Sequence, residues 1–222
     1  MMLARPDIRH PRIVLAGQSG AAPTDDAGLL GALRRRGLAA HWLRWDDLDT
    51  LRADLVIVRT AGADRAGEFL AWTRRVRHLL NPPDVVAWNT DRRYLRDLQH
   101  AGVPTDAVGS GDTTALVFLG DTQSHAFTTQ RAVDADFELW DLGRSALRAA
   151  AEHVGIRVDE LLDARADVTA DARLVGLDLV APVLGWGLLD AAARETAQRQ
   201  FAVCVESALE RLGFGPFSHR RP

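Results

Sequence analysis

Arg165 and Asp167 alternate within the run ARADV (164–168), a spacing that puts both on one face of a strand. A guanidinium beside a carboxylate can grip a charged ligand, or the two can form an internal ion pair between neighbouring strands. Near the N-terminus, Gly17-Gln18-Ser19-Gly20 follows an apolar run and could bring backbone close to a ligand. It has neither the G-x-G-x-x-G spacing nor a Walker lysine, and it is not a G-x-S-x-G elbow. Gly17 and Ser19, with Arg59 at the end of a later strand, are the candidates for a small-molecule cleft. His125 stands beside Ser124 in a strand pattern. Spacing places no acid or nucleophile against it, so it reads as a packed, hydrogen-bonded imidazole. The seven histidines form no H-x-H or H-x-x-x-H pair and have no nearby cysteine, which leaves a zinc site unsupported. Cys204, the one cysteine, cannot form an internal disulfide and reads as a buried structural thiol.

All 27 basic residues are arginine. A chain without lysine cannot form a Schiff base or hold phosphate with an ammonium, and a guanidinium is not an equivalent replacement in a tight site.

The elements that must position these residues follow from apolar periodicity. Residues 12–17 predict a strand, and 25–36 a helix closed by Gly37, with Thr24-Asp25-Asp26 at its start. Strands follow at 40–43 and 54–58. Residues 68–80 carry Phe69, Trp72, Val76 and Leu79 at helical spacing, and Asn81-Pro82-Pro83 ends that helix. A strand at 85–88 and a helix from Thr90 to Gly102 complete an alternation that predicts a parallel, helix-flanked sheet. Beyond Pro104 the pattern changes. VGSGDTT (108–114) reads as a turn, 114–129 as a hairpin around Gly120-Asp121, and 142–153 as a helix. Paired strands over 164–180 then turn at Ala170-Asp171, and a final helix runs from its cap Asp190 to Leu212. Trp72 and Trp88 read as core. Trp186, between two glycines, reads as partly exposed and as a contact surface.

With 47% hydrophobic residues the chain can build one sizeable core or two small lobes. A net charge of −3 with interspersed signs offers no cationic face for nucleic acid. The arginine clusters 34–36 and 74–77 read as solvated helix ends that offset the helix dipole. No apolar run approaches membrane-spanning length, and MMLARPDIRHPR lacks the apolar stretch of a secretion signal, so a cytoplasmic location is expected.

The segments EFLAWTRRVRHLLNPPDVVAWN (68–89) and WNTDRRYLRDLQHAGVPT (88–105) resemble the ATP-grasp ligases related to O-ureido-serine cyclo-ligase and glutathione synthetase. Trp45-Asp46-Asp47, Arg59, SHAF (124–127), ARADV and LVGLDLVAP (174–182) stand in that family's order. The resemblance implies an N-terminal domain at 1–88 with the parallel sheet, an α+β ATP-grasp-like lobe at 89–214, and a flexible tail at 215–222. It also implies acyl-phosphate chemistry with ATP and magnesium, in which two lysines hold the triphosphate and acidic groups hold the metal. Arg92 stands where the first phosphate lysine is expected, and the stretch between Thr105 and Thr114 is too short for the nucleotide lid. Thr128-Thr129-Gln130 follows SHAF in place of a lysine. The two acidic metal ligands correspond to Gly176 and Asp178, so only Asp178 remains, and one carboxylate is a poor magnesium site. Arg165 and Asp167 match residues that face the ligand cleft in the family.

The expectation is therefore a shortened, degenerate ATP-grasp-like protein with a binding, regulatory or scaffold role. It needs no cofactor and forms a homodimer, or takes a protein partner, over sheet that the lost lid would leave exposed. Two alternatives are an active ATP-dependent ligase that uses arginines for phosphate, with ATP and magnesium as cofactors, and a small-molecule sensor using the N-terminal cleft.

Overall fold

The computed structural model describes residues 10–106 and 112–214. Most of the turn expected at 108–114, and the tail 215–222, lie outside these residues.

Four strands form a parallel sheet in the order β2-β1-β3-β4: β1 (Ile13–Gly17), β2 (Ala40–Arg44), β3 (Leu55–Val58) and β4 (Leu79–Leu80). Every residue of β1 and β3 is buried, as expected of strands covered on both faces. Helix α1 (Leu29–Arg35) covers one face and α2 (Ala66–Thr73) the other. The single helix expected over 25–36 is instead a 3-10 turn at Thr24–Asp26 followed by α1, interrupted at Gly28. Its φ of 91° lies in the left-handed region that favours glycine.

Two sequence expectations fail between residues 68 and 90. α2 stops at Thr73, and the apolar pair Leu79–Leu80 enters the sheet as β4. The strand expected at 85–88 is helical, part of α3 (Pro83–Thr90). Pro83 fits the first turn of a helix, where its missing N–H is no loss, and Asp84 adds a favourable charge at that end. A short buried apolar run such as 85–88 does not distinguish the two periodicities. Thr90 closes α3, its hydroxyl donating to the Val86 carbonyl, and the next helix, α4 (Tyr94–His100), begins later. The domain boundary expected after residue 88 falls inside α3.

The second sheet is antiparallel, in the order β7-β6-β5-β8-β9: β5 (Thr113–Leu119), β6 (Thr122–Phe127), β7 (Ala132–Val133), β8 (Asp163–Thr169) and β9 (Leu174–Asp178). Helices α3, α4 and α5 (Phe137–Val154) pack on one face around Leu116, Phe118, Ala166 and Leu177. The opposite face presents Ala115, Val117, Leu119 and Phe127 to the same core as β1, β3 and α6 (Ala191–Arg211). Helix α6 therefore covers this apolar face, and one hydrophobic core runs through both sheets. Asp190 caps α6, accepting from the Ala193 N–H at 2.8 Å. Among the described residues, no helix is long and apolar enough to cross a membrane.

Candidate functional site

Strands β8 and β9 bring most of the sequence-derived candidates together. Arg165 is registered opposite Asp178 and Asp167 opposite Gly176. Arg165 does not bridge the two strands. It turns along its own strand onto Asp167, with Nε at 2.8 Å from Oδ1 and an NH2 group at 3.0 Å from Oδ2. Its guanidinium also lies 5.8 Å from the centre of the Phe127 ring. This two-pronged pair is half-buried, a setting in which charge-assisted bonds are stronger than at an open surface. One oxygen of the Asp178 carboxylate is also engaged: Oδ1 accepts from the Val180 N–H at 2.9 Å and the Ala181 N–H at 3.2 Å, closing the turn after β9. Arg92 is exposed, in the turn before α4. Tyr94, from α4, accepts the Leu177 N–H at 3.1 Å, and burial pushes its phenol up.

A magnesium triphosphate needs several hard oxygen ligands and compact positive charge. Here one carboxylate is clasped by Arg165, a second has one oxygen held by backbone, and Gly176 offers no side chain. These residues do not fit that group. Among the described residues there is no cluster of three His, Cys, Asp or Glu that could hold a metal.

Arg59 sits in a buried ion-pair network. It is buried at the end of β3, making two bonds to Asp26 at 2.9 and 3.0 Å, one to Asp163 at 2.5 Å and one to the Pro182 carbonyl at 3.0 Å. One cation thus ties the 3-10 turn before α1, the start of β8 and the loop after β9. Burial acts to lower the Arg59 pKa, but Asp26 and Asp163 outweigh it and hold the group firmly charged. Burial dominates at Asp163, whose carboxyl is pushed up to about 6. Two asparagines add to the same junction. Asn81 donates to the Asp163 and Leu179 carbonyls and accepts from the Leu162 N–H. Asn89 donates to the Leu177 carbonyl and accepts from the Leu179 N–H, pairing the outer edge of β9 as a further strand would.

Trp186 is fully buried rather than partly exposed. The Asp25 carboxylate accepts from the Leu184 and Gly185 N–H groups at 2.8 and 3.1 Å and ties the loop to the 3-10 turn at Thr24–Asp26, with Trp186 edge-on to Phe201. Its indole N–H is buried without a hydrogen-bond partner. Cys204 is partly buried, and burial pushes its thiol up to about 11.

The open crevice near the N-terminus lies at the carboxyl ends of the parallel strands, where ligands of such sheets bind. It has a volume of about 170 Å³ and is lined by Gln18, Arg44, Trp45, Gly62, Asp64 and Arg65. Gly17 ends β1 just below, its carbonyl accepting the Trp45 N–H, and Ser19 is exposed nearby. Asp46 bridges Arg44 at 3.0 Å and Arg65 at 2.7 Å, and those two bonds hold its carboxyl at about 2. Arg65 also lies over the Trp45 ring, 5.0 Å from its centre, a favourable cation–π arrangement. A Cβ on Gly62 would come within 2.9 Å of the Trp45 ring, so only glycine allows this approach. Trp45 and Asp46 stand among the sequence landmarks, whereas Arg44 and Arg65 carry no sequence signal, because only the loops after β2 and β3 bring them together.

Residues 13–81 match the family model of the N-terminal domain of D-cycloserine synthetase DcsG. A curated relative, the cycloserine biosynthesis protein DcsG of Streptomyces lavendulae, is 41% identical over an 83-residue match that covers 34% of this chain and 28% of that protein's length. The crystal structure of D-cycloserine synthetase DcsG superposes with a TM-score of 0.74 at 22% identity, covering 90% of this chain and 99% of that one. The ATP-grasp ligase PsnB, complexed with a minimal precursor, gives 0.57 at 15% identity, covering 90% and 100%. The D-alanine–D-alanine ligase of Bacillus anthracis, complexed with ATP, gives 0.61 at 10% identity, covering 91% and 98%. The chain thus shares its fold, over nearly all its length, with the solved ATP-grasp ligases, and its residues 13–81 are similar to the DcsG N-terminal domain.

Proposed function

We propose that this chain is a binding or regulatory relative of the ATP-grasp ligases, which recognises a small carboxylate or amino acid and does not carry out acyl-phosphate chemistry. The observation that carries the reading is the closure of Arg165 on Asp167, beside an Asp178 that stands alone where the family has two acidic metal ligands. Opening that pair for a nucleotide would expose two half-buried charges to a triphosphate with no metal cradle to balance it. The absence of lysine supports the same conclusion, because no ammonium is available to follow a phosphoryl group in transfer. The crevice beside Trp45 supplies the binding role: Arg44 and Arg65, paired with Asp46 and, for Arg65, also with Glu68, line a space suited to a handful of heavy atoms, an indole forms one wall, and a ligand carboxylate would compete with those acids for the guanidinium groups.

Thermal unfolding with separate ligands tests the proposal. A ligand at 100 times its dissociation constant adds about 2.7 kcal/mol, or roughly 5–10 °C for a chain of this size. Small carboxylates or amino acids should produce such a shift, it should vanish in Arg65→Ala, and Mg-ATP should produce none. The 41% identity to a cycloserine biosynthesis protein favours one other reading, an active ligase in which arginines replace the phosphate lysines. An upward shift with Mg-ATP that disappears in Arg92→Ala would favour that ligase reading and overturn ours.

A further inference from the structure

A pocket of about 370 Å³ beside β6 takes no part in the reading above; Ser124, His125, Ala132, Asp134, Trp140 and Leu189 are among its lining residues. β6 pairs with β5 through a bulge: Val117 faces His125 and Phe118 faces Gln123, which leaves Ser124 without a partner. In a regular strand these neighbours would point to opposite faces. A bulge re-aims side chains, and here Ser124 Oγ and His125 Nδ1 meet at 3.0 Å.

The hydrogen bonds settle where the protons are. His125 Nε2 lies 2.6 Å from the Leu184 carbonyl oxygen, which can only accept, so Nε2 carries the hydrogen. Burial lowers the His125 pKa and favours the neutral ring, whose Nδ1 is then a free acceptor for the Ser124 hydroxyl. The peptide that holds Nε2 is itself polarised. Its N–H, on Gly185, donates to the Asp25 carboxylate at 3.1 Å, while its carbonyl accepts from the histidine. Bonds linked in series strengthen one another. The result is a hydroxyl, a base oriented toward it, and an anion that orients the base through one peptide group, the arrangement of an activated nucleophile. Gly185 is essential to it: φ is +65°, and a Cβ would meet the Phe127 ring at 2.5 Å.

We propose that Ser124 is a nucleophile that accepts an acyl group from a small activated ester bound in this pocket, with His125 as the base and Asp25 as a positioning residue. Ser124 Oγ attacks the acyl carbon, its proton passes to His125 Nδ1, and the carbon–oxygen bond to the leaving group breaks. His125 returns that proton to the departing oxygen. Water then attacks the acyl-serine with the same base, releasing a carboxylic acid and restoring the hydroxyl. Trp140 and Leu189 give the pocket an apolar wall suited to an aryl ester.

The test is incubation of the full chain with p-nitrophenyl acetate, following p-nitrophenolate release and locating the acetyl group by peptide mass spectrometry. The expected result is acetylation at Ser124 that is lost in Ser124→Ala and slowed about 100-fold or more in His125→Gln. Asp25→Asn, which keeps the shape and removes the charge, should lower the rate at saturating ester and leave the half-saturating concentration unchanged. If His125→Gln fails to fold, Ser124→Ala decides, because it removes a single hydroxyl. An unlabelled Ser124, a Ser124→Ala rate equal to that of the unaltered chain, or unchanged labelling in a folded His125→Gln would each overturn the proposal.

Discussion

Replacing Arg59 by methionine should destabilise the protein severely, and the cost should depend on pH. The guanidinium lies between Asp26 and Asp163, all three side chains almost completely buried, and it also holds the Pro182 carbonyl. Methionine fills much of the same space, so lost packing is a minor part of the effect. The main cost is two carboxylates left in the interior without countercharge. Removing one partner of a buried ion pair costs about 3–5 kcal/mol, equivalent to a fall of roughly 6–20 °C in Tm for a chain of this length. Even with Arg59 present, burial pushes the Asp163 carboxyl up to about 6, and without the cation that carboxyl must sit higher still. A carboxyl whose folded pKa lies above its unfolded value takes up its proton first in the folded state. The loss is therefore full well above the folded pKa and shrinks as pH falls through it toward the ordinary carboxylate range. Urea denaturation of the parent and Arg59→Met at pH 8 and pH 5 measures this directly, and adding Asp26→Asn and Asp163→Asn should recover part of the loss at pH 8. A loss below about 1 kcal/mol, or the same loss at both pH values, would refute the assignment of Arg59 as the buried tie between the sheets.

Three further outcomes follow from the geometry. Gly185→Ala should cost about 1–3 kcal/mol by thermal melt, since a methyl group there collides with Phe127 and the backbone is left-handed. Asn89→Ala strips the Leu177 carbonyl and the Leu179 N–H of their partner, so urea unfolding should show a loss of about 2–4 kcal/mol at an unpaired strand edge. Cys204, its thiol pushed up to about 11, should react with a disulfide reagent at pH 8 far more slowly than free cysteine, and at the free rate only once urea unfolds the chain.

Much of the architecture was legible from residue order. Branched apolar runs at 12–17 and 54–58, the Gly120-Asp121 hairpin and the Asp190 cap all depend on near neighbours, and each forms close to where periodicity places it. The region from 68 to 90 was not legible in the same way. Leu79–Leu80 and 85–88 are short apolar runs whose conformation depends on what they pack against, and the finished sheet made one a strand and the other a helix.

Composition alone established that no ammonium is available for phosphate, and the ARADV spacing put Arg165 and Asp167 on one face. Three-dimensional folding decided what those groups do. Arg59 became a buried tie because its partners arrive from 33 residues before and 104 residues after it. Arg165 closed on Asp167, and Trp186 was drawn inward by Asp25, from 160 residues away along the chain at Gly185. The Ser124–His125 contact needed a bulge, which only the pairing of two whole strands defines. Local sequence sets periodicity and charge, which act over a few residues. Burial and long-range pairing determine which charges are satisfied and which side chains meet, and those belong to the folded chain as a whole.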